Sequence, residues 1–201
     1  MGFMSVLSFA HKLVAERLGQ GERAIDATVG TGADTLYLAR TVGRRGDVYG
    51  FDIQAAALEL AEARFKAAVE EKAEALPPIT LLLENHAEMA RVVPPSWVGT
   101  VGAVMFNLGY LPAGNADKSI ITETASSIVA IEAALSLLRP GGIVTAVLYP
   151  GHQGGDTEAA AVEAWASAIP THLAQSIVYR QLQRQESPYV IALEKKGAAR
   201  A

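Results

Sequence analysis

Short continuous apolar runs alternate along this chain with longer stretches of helical spacing. Within residues 1–20, Val6, Leu7, Leu13, Val14 and Leu18 fall at helical intervals among His11, Lys12, Glu16 and Arg17, which predicts an amphipathic N-terminal helix. Residues 23–29 form an apolar run that ends in glycines and predict a strand; residues 33–41 predict a helix and 47–52 a second strand. Residues 55–71 predict a helix with Leu58, Ala61, Phe65 and Val69 on one face. Pro78 leads into a strand at 79–83, and 87–91 suits a short helix. A fourth strand is expected at 101–106. The longest helix is expected at 118–138, with Ile121, Ala125, Ile128, Leu135 and Leu138 on a stripe and Pro140-Gly141-Gly142 as its stop. Residues 143–149 predict a fifth strand, 156–168 a helix, and 175–182 and 189–194 two last strands with a short polar connection.

Strand–helix alternation through five strands implies a parallel sheet wrapped by helices. Two strands in succession at the end require a hairpin, so one strand runs antiparallel. The expected fold class is α/β: a seven-stranded, mostly parallel sheet with helices on both faces. No repeat or linker interrupts it, because the loops at Pro77-Pro78 and Pro94-Pro95 are too short, so residues 1–201 read as one domain.

Composition narrows this picture. Half of the residues are hydrophobic and 19% are charged, which excludes a disordered chain. The apolar runs have strand length, below the ~20 residues of a spanning helix, so the hydrophobicity is assigned to a sheet buried on both faces and no membrane is expected. The N-terminus shows no cleavage pattern, and Val6 stands where a myristoylation signal after Gly2 needs Ser or Thr. The absence of cysteine removes disulfides, thiolate metal sites and cysteine nucleophiles, and a cytoplasmic location is expected. His11, His86, His152 and His172 are scattered, so no metal is expected. A formal net charge of −4 excludes a generally basic coat but leaves room for a local basic patch.

The densest chemistry lies in Asp26-Ala27-Thr28-Val29-Gly30-Thr31-Gly32-Ala33-Asp34-Thr35, between the first strand and its helix. Gly30 and Gly32 allow a tight turn and close approach of a ligand. Asp52 ends the second strand, where a carboxylate accepts both hydroxyls of an adenosine ribose. A dinucleotide fingerprint needs a third Gly or Ala where Thr35 stands, and Asp34 would repel a pyrophosphate. Asp26 and Asp34 suit a cationic or zwitterionic ligand, although Asp34 alone also reads as a favourable first-turn helix acid. Asn107-Leu108-Gly109-Tyr110 follows the fourth strand. It reads either as a site in which Asn107 orients a nucleophilic nitrogen and Tyr110 stacks on a base, or as a turn with a packed tyrosine. His152, among Gly151, Gly154 and Gly155, reads as a proton acceptor, a phosphate ligand or a helix cap. Asn85 is an adenine ligand or a turn residue, and Glu158 reads as a solvated helix residue.

Asp26-x-Thr28-x-Gly30-x-Gly32 resembles motif I of the class I S-adenosylmethionine-dependent methyltransferases, with Thr28 in place of the first glycine. With Asn107-Leu108-Gly109-Tyr110-Leu111-Pro112, the following Asp117-Lys118, and Tyr149-Pro150-Gly151-His152-Gln153-Gly154-Gly155, nearly the whole chain resembles the YtqB-like "putative rRNA methylase" family. That resemblance implies a Rossmann-like class I methyltransferase. It also implies the MnmM-type reaction, N-methylation of the 5-aminomethyl group of (2-thio)uridine at the tRNA wobble position. It implies S-adenosyl-L-methionine as cofactor, bound by Asp26, Thr28, Gly30, Gly32, Asp34, Thr35, Asp52, Ile53, Gln54, Asn85, His86 and Asn107. Leu108, Gly109, Tyr110, Asp117, Lys118, Tyr149, Gly151 and His152 would face the substrate, with Asn107, Tyr110 and His152 catalytic. The partner would be the anticodon loop of tRNA. Arg44-Arg45, Lys118, Arg180, Arg184 and Lys195-Lys196 are candidate RNA contacts, and a homodimer would assemble a groove from two chains. Three rivals stand beside this: a methyltransferase acting on rRNA, a small molecule or a protein amide; a nicotinamide-dependent oxidoreductase; and a non-catalytic RNA-binding or interaction module, for which the sequence offers no positive motif.

Overall fold

The apolar runs pair into a single seven-stranded sheet. The computed structural model describes residues 2–72, 75–109, 124–151, 154–184 and 186–197. The strands are β1 (Arg23–Asp26), β2 (Asp47–Asp52), β3 (Ile79–Leu83), β4 (Val101–Leu108), β5 (Leu138–Leu148), β6 (Ala174–Tyr179) and β7 (Tyr189–Lys195). Their spatial order is β3-β2-β1-β4-β5-β7-β6. All pairings among the first five strands are parallel, and β7 runs antiparallel to both β5 and β6. The chain order reverses between β1 and β4, the switch point at which an open α/β sheet forms its ligand crevice.

Helices cover both faces: α1 (Val6–Ala15), α2 (Ala33–Val42), α3 (Ala55–Lys72), α4 (Met89–Val92), α5 (Thr124–Leu137) and α6 (Gly155–Ala168). Side chains alternate along the strands and feed two cores. Ile25, Phe51, Val104, Phe106 and Leu148 pack with Met89 of α4 and with α5 and α6. Ala24, Val48, Ala103, Met105 and Val147 pack with Ala10, Leu13 and Val14 of α1 and with α2. Ser5 caps α1 by accepting the Ser8 N–H at 3.1 Å, so the helix begins where its first unpaired donors are satisfied. Among the described residues no helix is long and apolar enough to cross a membrane.

Three local expectations change. The face that α3 buries is made of Ala57, Ala61 and Ala68, while Val69 is exposed. The backbone at Gly32 comes so close to Ala61 that only small residues fit there. The described part of α5 buries Ser127, Ala130, Ile131, Ala134 and Leu137 and leaves Ala125 exposed, so its inward stripe differs from the expected one. Pro140-Gly141-Gly142 does not follow the helix as a separate stop. It lies inside β5, where the register to β4 shifts between Val101 and Ala103, and Gly141 takes φ +72°. The irregularity leaves no room for a Cβ at Gly142, which would lie 2.9–3.1 Å from three carbonyl oxygens.

Candidate active site

Loops from the C-terminal ends of β1, β2, β4 and β5 converge at the switch point. Asp26 closes β1 with no solvent exposure. Its Oδ2 accepts the Thr35 hydroxyl at 2.6 Å and its Oδ1 the Thr28 N–H at 3.1 Å. Burial first, and then the charge of Asp34, push its carboxyl up to about 7. Asp26 and Thr35 therefore brace the loop from inside. Thr28, at the first glycine position of the motif, accepts the backbone N–H of Asn107 on its hydroxyl at 2.7 Å. A glycine has no side-chain oxygen for this bond, which ties the β1 loop to the end of β4 across the switch.

Gly30 takes φ +52° and donates its N–H to Asp52 Oδ2 at 2.9 Å. Asp52 Oδ1 accepts the Gln54 N–H at 2.9 Å. Each carboxylate oxygen thus commits one lone pair to the backbone and keeps another, a donor-hungry arrangement that suits a pair of ribose hydroxyls. Ile53, beside it, is 51% exposed, an apolar surface next to that acceptor. Gly32 has a packing duty. Its φ is +74°, and a Cβ there would stand 2.7 Å from the Ala61 Cβ, so the glycine seats the start of α2 against α3.

Asp34, in the first turn of α2, is buried, and it does more than favour the start of the helix. Its Oδ2 accepts the Asn107 side-chain N–H at 2.6 Å, and its Oδ1 lies 2.6 Å from His11 Nε2. The Tyr149 hydroxyl reaches Asn107 Oδ1 at 3.5 Å, a long contact, and burial followed by the Asp34 charge raises the tyrosine's pKa. The Tyr149 ring packs against Gly109, where a Cβ would come within 3.2 Å of it. The sheet thus brings Asn107, Gly109 and Tyr149 together. It takes the Leu108 side chain away, into the core, because alternate residues of β4 face opposite sides.

Asn85 and His86, both expected at the cofactor, also make contacts within the protein. The Asn85 side-chain oxygen accepts the Ala87 N–H at 2.9 Å, which makes Asn85 the cap of the short turn His86–Glu88. His86 is buried edge-on to Phe106, with Nδ1 at 3.1 Å from the Ala27 carbonyl oxygen. A carbonyl only accepts, so Nδ1 carries the proton; burial lowers the imidazole pKa, which keeps the other nitrogen, Nε2, bare. That nitrogen has no partner among the described residues. Gly151, at φ +90°, donates its N–H to Asp156 at the start of α6. Glu158 is 2% exposed and accepts the Ser127 hydroxyl at 2.6 Å, so it is a buried tie between α5 and α6, unlike the solvated residue expected. Tyr110, Asp117, Lys118 and His152 lie outside the described residues. Among the described residues no three His, Cys, Asp or Glu side chains cluster as metal ligands would.

His11 is the participant that the motifs did not disclose. Its one sequence signal is its place at the edge of the apolar face of α1, next to buried Ala10 and one turn before Val14.

The sequence profile of the family described as "Putative rRNA methylase" matches residues 48–195. A chloroplastic tRNA (mnm(5)s(2)U34)-methyltransferase of Arabidopsis thaliana is 36% identical over 192 residues, which is 93% of this chain and 68% of that protein. A solved structure described as a "putative rRNA-methylase" from Clostridium thermocellum superposes with a TM-score of 0.85 at 31% identity, covering 97% of this chain and all of that one. A "putative methyltransferase" from Streptococcus mutans, solved in complex with SAH, superposes with a TM-score of 0.80 at 27% identity, covering 96% and 99%. These relatives are methyltransferases and set aside the nicotinamide-dependent oxidoreductase. The profile match and the 36% identity show that this chain belongs to the rRNA methylase family, and it is an S-adenosylmethionine-dependent methyltransferase of the Rossmann-like class I fold.

Proposed function

We propose that the protein methylates the 5-aminomethyl nitrogen of (2-thio)uridine at the wobble position of tRNA. The observation that carries this is Asn107, tied at its backbone N–H to Thr28 and at its Nδ2 to Asp34, with its side-chain oxygen left only the long 3.5 Å contact to the Tyr149 hydroxyl. An amide oxygen held in this way accepts an N–H from a neutral amine and turns the nitrogen lone pair in a fixed direction. Positioning of that kind supplies most of the rate in a displacement that needs little acid–base chemistry. Asp52, Gly30 and Ile53 would hold the nucleoside part of S-adenosylmethionine, with Thr28 and Asp34 nearby. When bound, the cofactor supplies an electrophilic methyl group. Among nitrogens that such an amide serves, the wobble aminomethyl group is favoured by the 36% identity to the Arabidopsis protein named for that reaction.

The same reading assigns the anticodon loop as partner, with Tyr110, Asp117, Lys118 and His152 facing it, and extends to a homodimer working in the cytoplasm. Mass spectrometry of nucleosides tests it. The purified protein, incubated with S-adenosylmethionine and tRNA that carries unmethylated 5-aminomethyl-2-thiouridine, is expected to convert that nucleoside to its N-methyl form. An unchanged nucleoside profile in tRNA, with methyl transfer to rRNA under the same conditions, would move the substrate to rRNA.

A further inference from the structure

The N-terminal helix brings a side chain to the site that lies outside every nucleotide-binding motif. His11 stands on α1, 23 residues before Asp34, and its Nε2 meets Asp34 Oδ1 at 2.6 Å. The ring is stacked on Tyr37 of α2, with centroids 4.0 Å apart and planes 7° from parallel. The Tyr37 hydroxyl donates to the backbone carbonyl of His11 itself at 2.6 Å. Two contacts from α2 therefore fix both the plane of the imidazole and the backbone that carries it. The helix below is anchored by Ala10, Leu13 and Val14 in the core. A histidine held this firmly has one direction in which its Nε2–H can point.

The direction of each hydrogen bond sets the orientation of the amide. An ionised carboxylate offers only acceptors. Asp34 Oδ1 therefore faces a protonated ring nitrogen, and Asp34 Oδ2 faces the NH2 end of the Asn107 amide at 2.6 Å. With the NH2 end fixed, the carbonyl end of Asn107 is the one left beside the Tyr149 hydroxyl, at 3.5 Å. A carboxylate that lost its Oδ1 partner would be held by the Asn107 bond alone, and the amide would lose the fixed reference that sets its orientation.

We propose that His11 is a positioning residue for methyl transfer: by donating Nε2–H to Asp34 it locks the carboxylate that holds Asn107 with its carbonyl oxygen toward the acceptor nitrogen. This rests on the reading of Asn107 as the group that orients the amine. The N-terminal helix is then part of the catalytic apparatus as well as a cover for the sheet.

Two substitutions separate this role from packing. His11→Phe keeps a flat ring on Tyr37 and removes the donor. His11→Gln keeps an N–H donor and removes the ring. Three quantities are read in each: kcat and KM on tRNA, SAH affinity by calorimetry, and the side-chain amide signal of Asn107 in protein labelled with 15N-asparagine. The chain has three asparagines, Asn85, Asn107 and Asn115, so assignment by single replacement is direct. For His11→Phe, kcat is expected to fall about ten- to hundredfold with KM and SAH affinity within about twofold, the signature of lost orientation. The Asn107 amide protons should shift upfield and exchange faster, and His11→Gln should restore both kcat and the amide signal. Wild-type kcat and an unmoved Asn107 signal in His11→Phe would overturn the proposal, as would equal losses in both variants with that signal unmoved. If wild-type protein transfers no methyl to tRNA, the substrate reading fails on its own. The Asn107 signal then still decides the role of His11, a shift in His11→Phe supporting it and no shift rejecting it.

Discussion

Asp26 pays for its burial in protons. Removal from water and the neighbouring Asp34 charge raise its carboxyl to about 7, against the downward pull of the Thr35 and Thr28 hydrogen bonds. An unfolded aspartate titrates near ~3.9. Between those values the folded protein holds a proton that the unfolded chain releases. The stabilising contribution is complete below the unfolded value, declines as pH rises, and is gone above about 7. The slope for one proton is at most ~1.4 kcal/mol per pH unit. Asp26→Asn removes this dependence and keeps an oxygen for the Thr28 N–H. In urea unfolding at pH 5 and pH 8, the variant's stability relative to wild type should rise with pH; parallel curves would mean that Asp26 is ionised throughout. Asn107→Ala removes the side-chain amide that Asp34 holds, and the backbone bond to Thr28 survives. A loss of about a hundredfold in kcat with SAH affinity nearly unchanged is expected from single-turnover kinetics and calorimetry. Asp26, Asp34, Asp52 and Asn107 were all legible in the sequence as chemistry. Their partners were not. The bond from Asn107 to Asp34 spans 73 residues and that from Thr28 to Asn107 spans 79, and such contacts exist only once the sheet has formed.

At the scale of elements, the strand–helix order and the antiparallel end could be read from apolar runs because each strand needs a continuous buried stretch. The faces of α3 and α5 could not be read as well. Helical spacing marks the large apolar residues, whereas a helix that approaches closely buries small ones. Ala57 and Ala68 are the buried residues that this spacing passes over, whereas Ala61, expected on that face, sits against Gly32. Gly32→Ala should therefore be more harmful than its left-handed backbone alone requires. Gly99 is a control with nearly the same φ, +72°, and nothing within 4 Å of an added Cβ. Gly99→Ala should cost about 1–2 kcal/mol from backbone conformation. Gly32→Ala adds overpacking of roughly 1–3 kcal/mol, because the atoms it meets include the Ala61 backbone, which has no rotamer to yield. Equal losses in denaturant unfolding would show that α2 and α3 part easily and that the contact matters little.

For the whole molecule, sheet polarity sorts the cations that the sequence left unranked. The parallel strands β1–β5 end at the active site, and Tyr179 at the end of β6 pairs with Val190, which pairs with Val147 near the end of β5. The segment after β6, with Arg180 and Arg184, thus leaves the sheet at the active-site edge. Arg44 and Arg45 precede β2, and Lys195 pairs with Ala174 at the start of β6, so these lie at the opposite edge. Lys195 donates to the carbonyls of Ser136 and Leu138, and Lys196 contacts Gln175 and Glu194, which are structural duties. Arg180 pairs with Glu163 and lies over Tyr189. In a chain of net charge −4, with Asp26, Asp34 and Asp52 at the crevice, RNA must be drawn by few cations on the right edge. Arg184→Ala should weaken tRNA binding and reduce the slope of log K against log salt by about one. The paired change Arg44→Ala and Arg45→Ala should leave both affinity and slope unchanged. The reverse pattern would place the RNA on the far edge, away from Asn107, and no arrangement of one chain would then bring a bound nucleoside to the site. The groove would have to be built by a second copy.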